Sequence, residues 1–202
     1  ILPNGYLGVD IFFVISGYLI THHILGIEGN FVFTLKYFYT RRVKRLLPAL
    51  FVFLTITSFG LIFVLVNSDY ENFTSSLFAT KTFWANLYFW RDGGYFGGND
   101  QLKPLLHTWS LSVEEQFYIF YPSYLIFSFW VRKKIGLSMS IFIGILTISS
   151  FVFWIFLYNI GGENPAFFLL PTRIWQFGLG SFFAIQQYKI NLNFNKYGSI
   201  VS

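Results

Sequence analysis

A histidine and two carboxylates stand at the head of an apolar run. The segment reads Leu105-Leu-His-Thr-Trp-Ser-Leu-Ser-Val-Glu-Glu-Gln-Phe-Tyr118, and apolar residues continue to Val131. Ionisable groups at membrane depth are costly, so they mark a pathway or a site. If a helix begins soon after Pro104, then His107, Ser110, Glu114, Tyr118 and Tyr121 share a stripe roughly 80° wide. A base, a hydroxyl, a carboxylate and two phenols on one face could line a polar cavity and move a proton. Glu115 falls away from the stripe's centre. A second reading needs no cavity. Ser112-Val-Glu-Glu115 fits a capping box, with both acids placed where they favour the helix dipole. In either register Pro122 removes the backbone bond to Tyr118.

Other charged residues allow two readings each. Asp10 lies in an apolar segment and shares a stripe with Gly17 and Thr21, at offsets of seven and eleven. It is either part of a helix–helix seam or an interfacial carboxylate near the end of a span. Ser16 and Gly17 read as close-packing residues. Arg41, Arg42 and Arg45 stand three and four apart and share a helical face. They either anchor a topology or grip phosphate with bidentate forks, as the pyrophosphate of a nucleotide-bearing donor would need. Arg173 follows Pro171 and interrupts an apolar run. It either snorkels to the interface or pairs with Glu114 or Asp10. Gly178 and Gly180 read as packing glycines, and His22 and His23 as residues closing the first span.

The elements that position these groups are membrane helices. Of the 202 residues, 54% are hydrophobic, 23% aromatic and 11% charged, and the mean hydropathy is +0.55. Soluble domains carry about 25% charged residues. There is no cysteine, which excludes a disulfide, a zinc–thiolate centre or a cysteine nucleophile within these residues. With three histidines, two of them adjacent, no metal site is expected. The net charge of +5 sits in short clusters, Arg41-Arg-Val-Lys-Arg45 and Arg132-Lys-Lys134, which is the positive-inside pattern and not a nucleic-acid surface.

Four runs are long enough to span: roughly 6–27, 47–67, 113–131 and 137–158. A fifth, 167–187, spans if Arg173 is tolerated, and a sixth begins near 198. Segment 76–90 is short and holds Lys81 and Asn86. If it only dips into the outer face, both basic clusters lie in the cytoplasm and 68–108 and 159–166 lie outside. Asp92-Gly-Gly-Tyr-Phe-Gly-Gly-Asn-Asp100 reads as a turn-rich loop. The fold class is therefore an all-α polytopic membrane bundle of five to six spans, one domain over 1–202. With no initial Met and no signal-peptide pattern, the chain is expected to be an internal piece of a longer protein, incomplete at both ends.

Four blocks carry a resemblance: Gly8-Val-Asp-Ile-Phe-Phe-Val-Ile-Ser-Gly17; Arg41-Arg-Val-Lys-Arg45 with Pro48; His107-Thr-Trp-Ser-Leu-Ser-Val-Glu-Glu-Gln-Phe-Tyr118 with Pro122; and Pro171-Thr-Arg-Ile-Trp-Gln-Phe-Gly-Leu-Gly180. In this order they resemble the membrane-bound acyltransferase-3 family, which includes O-acetyltransferases of bacterial surface polysaccharides. The resemblance implies an enzyme of the bacterial inner membrane. It would move an acyl group, often acetyl, from cytoplasmic acyl-CoA to a hydroxyl of a cell-surface or lipid-linked saccharide. Acyl-CoA would be a donor substrate, with no permanently bound cofactor and no nucleic-acid partner. The family's Arg motif falls on Arg41, Arg42 and Arg45, and its intramembrane carboxylate on Glu114. With them we group His107 and Asp10 as catalytic candidates, and Ser110, Tyr118 and Arg173 as further polar candidates.

Two departures matter. The family's catalytic His and a preceding Arg lie on a span before the first one seen here, so this piece alone is expected to be inactive. The family also reads Trp-Glu-Leu where this chain has Trp175-Gln-Phe177. The rival function is a transporter or flippase of a glycoconjugate precursor, with the same stripe as its path.

Overall fold

The computed structural model describes residues 6–26, 31–63, 67–93 and 103–198. Among them there is no strand. The helices are α1 (Tyr6–Leu25), α2 (Phe31–Leu61), α3 (Asn67–Lys81), α4 (Ala85–Arg91), α5 (Trp109–Ile135), α6 (Met139–Asn159), α7 (Glu163–Phe168) and α8 (Ile174–Gly198). Two 3₁₀ turns, Leu106–Thr108 and Leu170–Thr172, lead into α5 and α8. The expected sixth span and most of the Asp92–Asp100 loop lie outside the described residues.

Three helices are long and apolar enough to cross a membrane: Leu7–Leu25, Leu35–Leu61 and Met139–Asn159. At 27 and 25 residues, α5 and α8 have the length for it but carry more polar side chains. Two expected boundaries are corrected. The run placed at 47–67 belongs to a helix that already begins at Phe31, so the Arg cluster and Pro48 lie inside it. Arg is a good helix former, and a charged cluster does not end a helix. The run 167–187 is not one helix. Pro171 has no N–H to give to the Phe167 carbonyl, and Leu169 is extended with ψ 140°. The chain breaks there, and Arg173 Nε takes the Phe167 carbonyl instead, at 2.8 Å.

Contacts divide the chain into two units, residues 1–27 with 113–202, and residues 28–112. In the first, α1 packs on α8 and α8 on α6. The α1–α8 seam is built on small residues, because only a missing side chain lets helix backbones meet closely. A Cβ on Gly17 would lie 2.0 Å from the Phe177 carbonyl oxygen, and one on Gly180 would lie 1.9 Å from that of Val14. Above the seam, Phe177 stacks on Phe13 at 4.5 Å and on Phe117 of α5 at 4.1 Å. The opposite face of α1 exposes Leu7, Ile11, Phe12, Ile15 and Leu19. Polar residues inward and aliphatic residues outward is the arrangement a lipid solvent selects.

Helix direction follows from these pairings. Ser16 meets Glu114 and Thr21 meets Tyr121, so α1 and α5 run the same way. Asp10 meets Arg173 and Gly17 meets Ser181, so α8 runs with them. Thr147 lies against Gly178, whereas Ser140 lies near Lys189, so α6 runs against them.

In the second unit α3 ends and α4 begins at a sharp reversal. Phe83 there has φ 57°, a left-handed conformation rare for a bulky residue. Phe73, Ala79, Ala85, Phe89, Leu105, Leu106 and Trp109 are its buried apolar residues. Thr80 and Thr108 hydroxyls share a bond at 3.0 Å across it.

Candidate functional site

The first unit holds two polar clusters within its helix seams. Glu114 of α5 is 6% exposed. Its Oε1 accepts from Ser16 Oγ of α1 at 2.9 Å and from Tyr118 OH, one turn along α5, at 2.7 Å. Tyr121, the next residue of the stripe, is buried and shares a bond with Thr21 at 2.6 Å. Glu114, Tyr118 and Tyr121 thus line one face of α5, turned toward α1. Ser16, expected only to pack, is a direct partner of the carboxylate. Its Gly17 neighbour hid that role, since small residues in a row read as a packing motif.

Asp10 is the centre of the second cluster. Its Oδ1 accepts from Arg173 Nη1 at 3.0 Å and from Gln176 Nε2 at 2.8 Å. Of the alternatives for Arg173, the partner is Asp10, and the guanidinium also lies 4.8 Å from the centre of the Phe167 ring. The break before α8 positions it: a residue just outside a helix can reach back along α1. Asp10, Gly17 and Thr21 all face the seam, each with a partner on α8 or α5. Gln176 was noticed in the sequence only as a lost carboxylate. It is 1% exposed and bonds Asp10 through its amide nitrogen, while its Oε1 has no partner among the described residues. A glutamate there would set a second anion against Asp10. With glutamine the cluster holds one acid and one base.

The start of α5 decides between the two readings of the glutamates. The 3₁₀ turn begins at Leu106, so Ser112 is not a cap. Its Oγ accepts from Ala85 N at 3.2 Å and donates to the Thr108 carbonyl at 3.4 Å. The capping-box reading is corrected for this reason. The expectation that Glu115 turns away is corrected too, because it is also buried, at 9% exposure. Helix sides in a bundle are covered by more than one neighbour, which a single stripe does not capture.

The second unit contains the remaining candidates. His107 is exposed and meets the ring of Phe53 of α2 edge-on at 5.5 Å. Ser110 Oγ donates to the His107 carbonyl at 3.3 Å. Arg41, Arg42 and Arg45 lie on consecutive turns of α2, with Arg41 and Arg45 exposed and Arg42 half-buried. Arg41 Nη1 donates to Tyr37 OH at 2.9 Å. On α4, Tyr88 OH donates to the Asn72 carbonyl at 3.1 Å. Burial first, and then the Asp92 charge, hold that phenol above its ordinary pKa, so it remains a donor.

These helices make an all-α, multi-pass membrane protein with paired ionisable groups buried between its spans. The chain belongs to an acyltransferase family: the family model described as an acyltransferase domain matches residues 2–202. It is 38% identical over 186 residues to a Staphylococcus aureus (strain COL) protein provisionally named an O-acetyltransferase, covering 89% of this chain and 30% of that one. It is 32% identical over 187 residues to a Bacillus subtilis (strain 168) protein provisionally named a peptidoglycan O-acetyltransferase, covering 90% and 29%. A Haemophilus influenzae protein named only as uncharacterized is 34% identical over 180 residues, covering 88% and 74%. The chain therefore spans about 30% of the length of the Staphylococcus and Bacillus relatives. No solved structure matches it.

Proposed function

We propose that this chain is the membrane part of an O-acyltransferase that moves an acyl group, acetyl in the first instance, from acyl-CoA to a hydroxyl of a saccharide. The observation that carries the reading is Glu114, a buried carboxylate with two hydroxyl donors on one oxygen, in a chain of an acyltransferase family. The reaction removes a proton from the acceptor hydroxyl, joins its oxygen to the thioester carbonyl carbon and expels the CoA thiolate, which takes up a proton. Glu114 is a proton holder or the group that orients a base. Ser16 and Tyr118 fix its carboxylate, so it does not have to reorganise when charge moves. Asp10 is occupied by Arg173 and Gln176, so we assign it to positioning the α1–α8 seam. His107, exposed beside α5, is a candidate for contact with acceptor or donor.

Arg41, Arg42 and Arg45 bind the CoA phosphates on the cytoplasmic side of a bacterial inner membrane. The exposure of Arg41 and Arg45 on one helical face supports this. The test is transfer of radiolabelled acetyl from acetyl-CoA to a peptidoglycan-derived saccharide by the full-length protein in nanodiscs. Wild type transfers label, and Glu114→Gln lowers turnover on the order of 100-fold, the usual scale for a general acid–base group. Arg42→Ala and Arg45→Ala raise the KM for acetyl-CoA, and Lys replacements recover part of it, since an ammonium lacks the fork. A wild-type protein that transports a saccharide but transfers no label would replace this reading with the transporter.

A further inference from the structure

In the second unit, α3 and α4 enclose an open groove of about 1170 Å³. Two aromatic side chains stand in it unusually bare: Phe78 is 69% exposed and Trp84 is 59% exposed. Trp90 is half-buried beside them. The polar lining is as important. Asn72 and Arg91 are both exposed on the groove, and Arg91 has no hydrogen bond or ion pair among the described residues. Asp92, at the end of α4, is held by Lys103, whose Nζ lies 2.8 Å from Oδ2 and donates to the Asp92 carbonyl at 2.7 Å.

A face made for lipid chains would be apolar throughout. Here ring faces are interleaved with an amide, a guanidinium and a braced carboxylate. That combination matches a sugar, which offers a C–H face for stacking and a rim of hydroxyls for hydrogen bonds. The charges narrow the class further. With Asp92 neutralised by Lys103, Arg91 is a surplus cation at the rim, and a guanidinium fork suits a carboxylate. The backbone is set for this shape, because left-handed Phe83 turns the chain so that Trp84 opens α4 beside α3.

We propose that this groove binds a segment of the saccharide acceptor, one sugar ring stacked on Trp84 and Phe78 and an acidic substituent on Arg91. The assignment rests on the acyl-transfer reading above and names the acceptor's chemical class. The full-length protein in nanodiscs is titrated with two probes: the disaccharide N-acetylglucosaminyl-N-acetylmuramic acid, which carries a carboxylate, and a neutral N-acetylglucosamine tetrasaccharide. Trp84→Ala weakens binding of both. Arg91→Gln weakens only the acidic disaccharide, by about tenfold, the loss of one charge-assisted bond. The KM for acetyl-CoA stays unchanged in both variants. Wild-type binding that both variants retain in full would overturn the proposal, as would no binding of either sugar by wild type. Quenching of Trp84 fluorescence by brominated acyl chains would also overturn it and assign the groove to the bilayer. A wild-type protein that binds the disaccharide as predicted but transfers no acetyl supports the groove and removes the transfer reading.

Discussion

At the scale of the residue, the two carboxylate clusters call for different substitutions. Glu114 receives both its hydroxyl donors on one oxygen. Glutamine keeps an oxygen there, so Glu114→Gln is expected to unfold in detergent at nearly the wild-type temperature while losing turnover. Glu114→Ala leaves Ser16 and Tyr118 without an acceptor and costs about 2 kcal/mol for each buried donor. Asp10 and Arg173 behave as a pair. Arg173→Ala strands a carboxylate in the seam and destabilises by about 3 kcal/mol, whereas Asp10→Asn combined with Arg173→Gln recovers much of that loss. A double-mutant cycle read by chemical unfolding measures the coupling, and a coupling near zero would return Arg173 to interfacial snorkelling. The candidate residues were legible because ionisable groups are rare in an apolar chain. Their partners were less so. Ser16 and Gln176 are ordinary residue types, and only the approach of a distant helix gives them a role.

At the scale of the element, the glycines set how close helices come. Gly17→Ala forces the Phe177 backbone away and is expected to cost about 2 kcal/mol, the range of overpacking. Gly8→Ala, on the same helix with nothing within 4 Å of its Cβ, is expected to be neutral or slightly stabilising. Equal effects at the two positions would mean that α1 and α8 are not in backbone contact. Phe83 gives a second test. Both Phe83→Ala and Phe83→Gly lose the ring, but only glycine takes a positive φ without strain. Phe83→Gly should therefore be the more stable by about 1 kcal/mol, against the usual order for these residues. Element types were legible from hydropathy and length. Boundaries were not, where charge or proline intervened: the Arg cluster looked like a helix end and lies within α2, whereas Arg173 looked tolerable within a helix and stands at a break.

At the scale of the whole molecule, helix direction constrains topology. Since α1 and α5 run the same way, the chain must cross the bilayer an odd number of times between them. α2 supplies one crossing. α3 and α4, at 15 and 7 residues, are too short to add another. The Arg41–Arg45 and Arg132–Lys134 clusters then fall on one side, in agreement with the charge rule. The chain has no cysteine of its own, so single cysteines at Val43 and Lys133 can be probed directly. Both are predicted to resist an impermeant thiol reagent in intact cells, and one at Lys81 to react. Labelling of Lys133 from outside would mean a second crossing before α5. Periodicity alone could not decide this, because 76–90 is apolar enough to suggest a span. The decision came from two pairs of side chains, Ser16 with Glu114 and Thr21 with Tyr121.

The seam between α1 and α8 also dictates a schedule. Asp10 and Arg173 are 163 residues apart, and ribosomes add roughly 5–20 residues each second. On that rate α1 waits on the order of ten to thirty seconds before the helix carrying its counter-ion exists. Through that interval a carboxylate and a strip of small residues have no permanent neighbour, so the nascent first helix needs a temporary host in the insertion machinery. Ribosome-stalled chains ending before Leu170 should therefore crosslink through position 17 to that machinery. Chains stalled well beyond Gly198 should have exchanged the crosslink for one to α8.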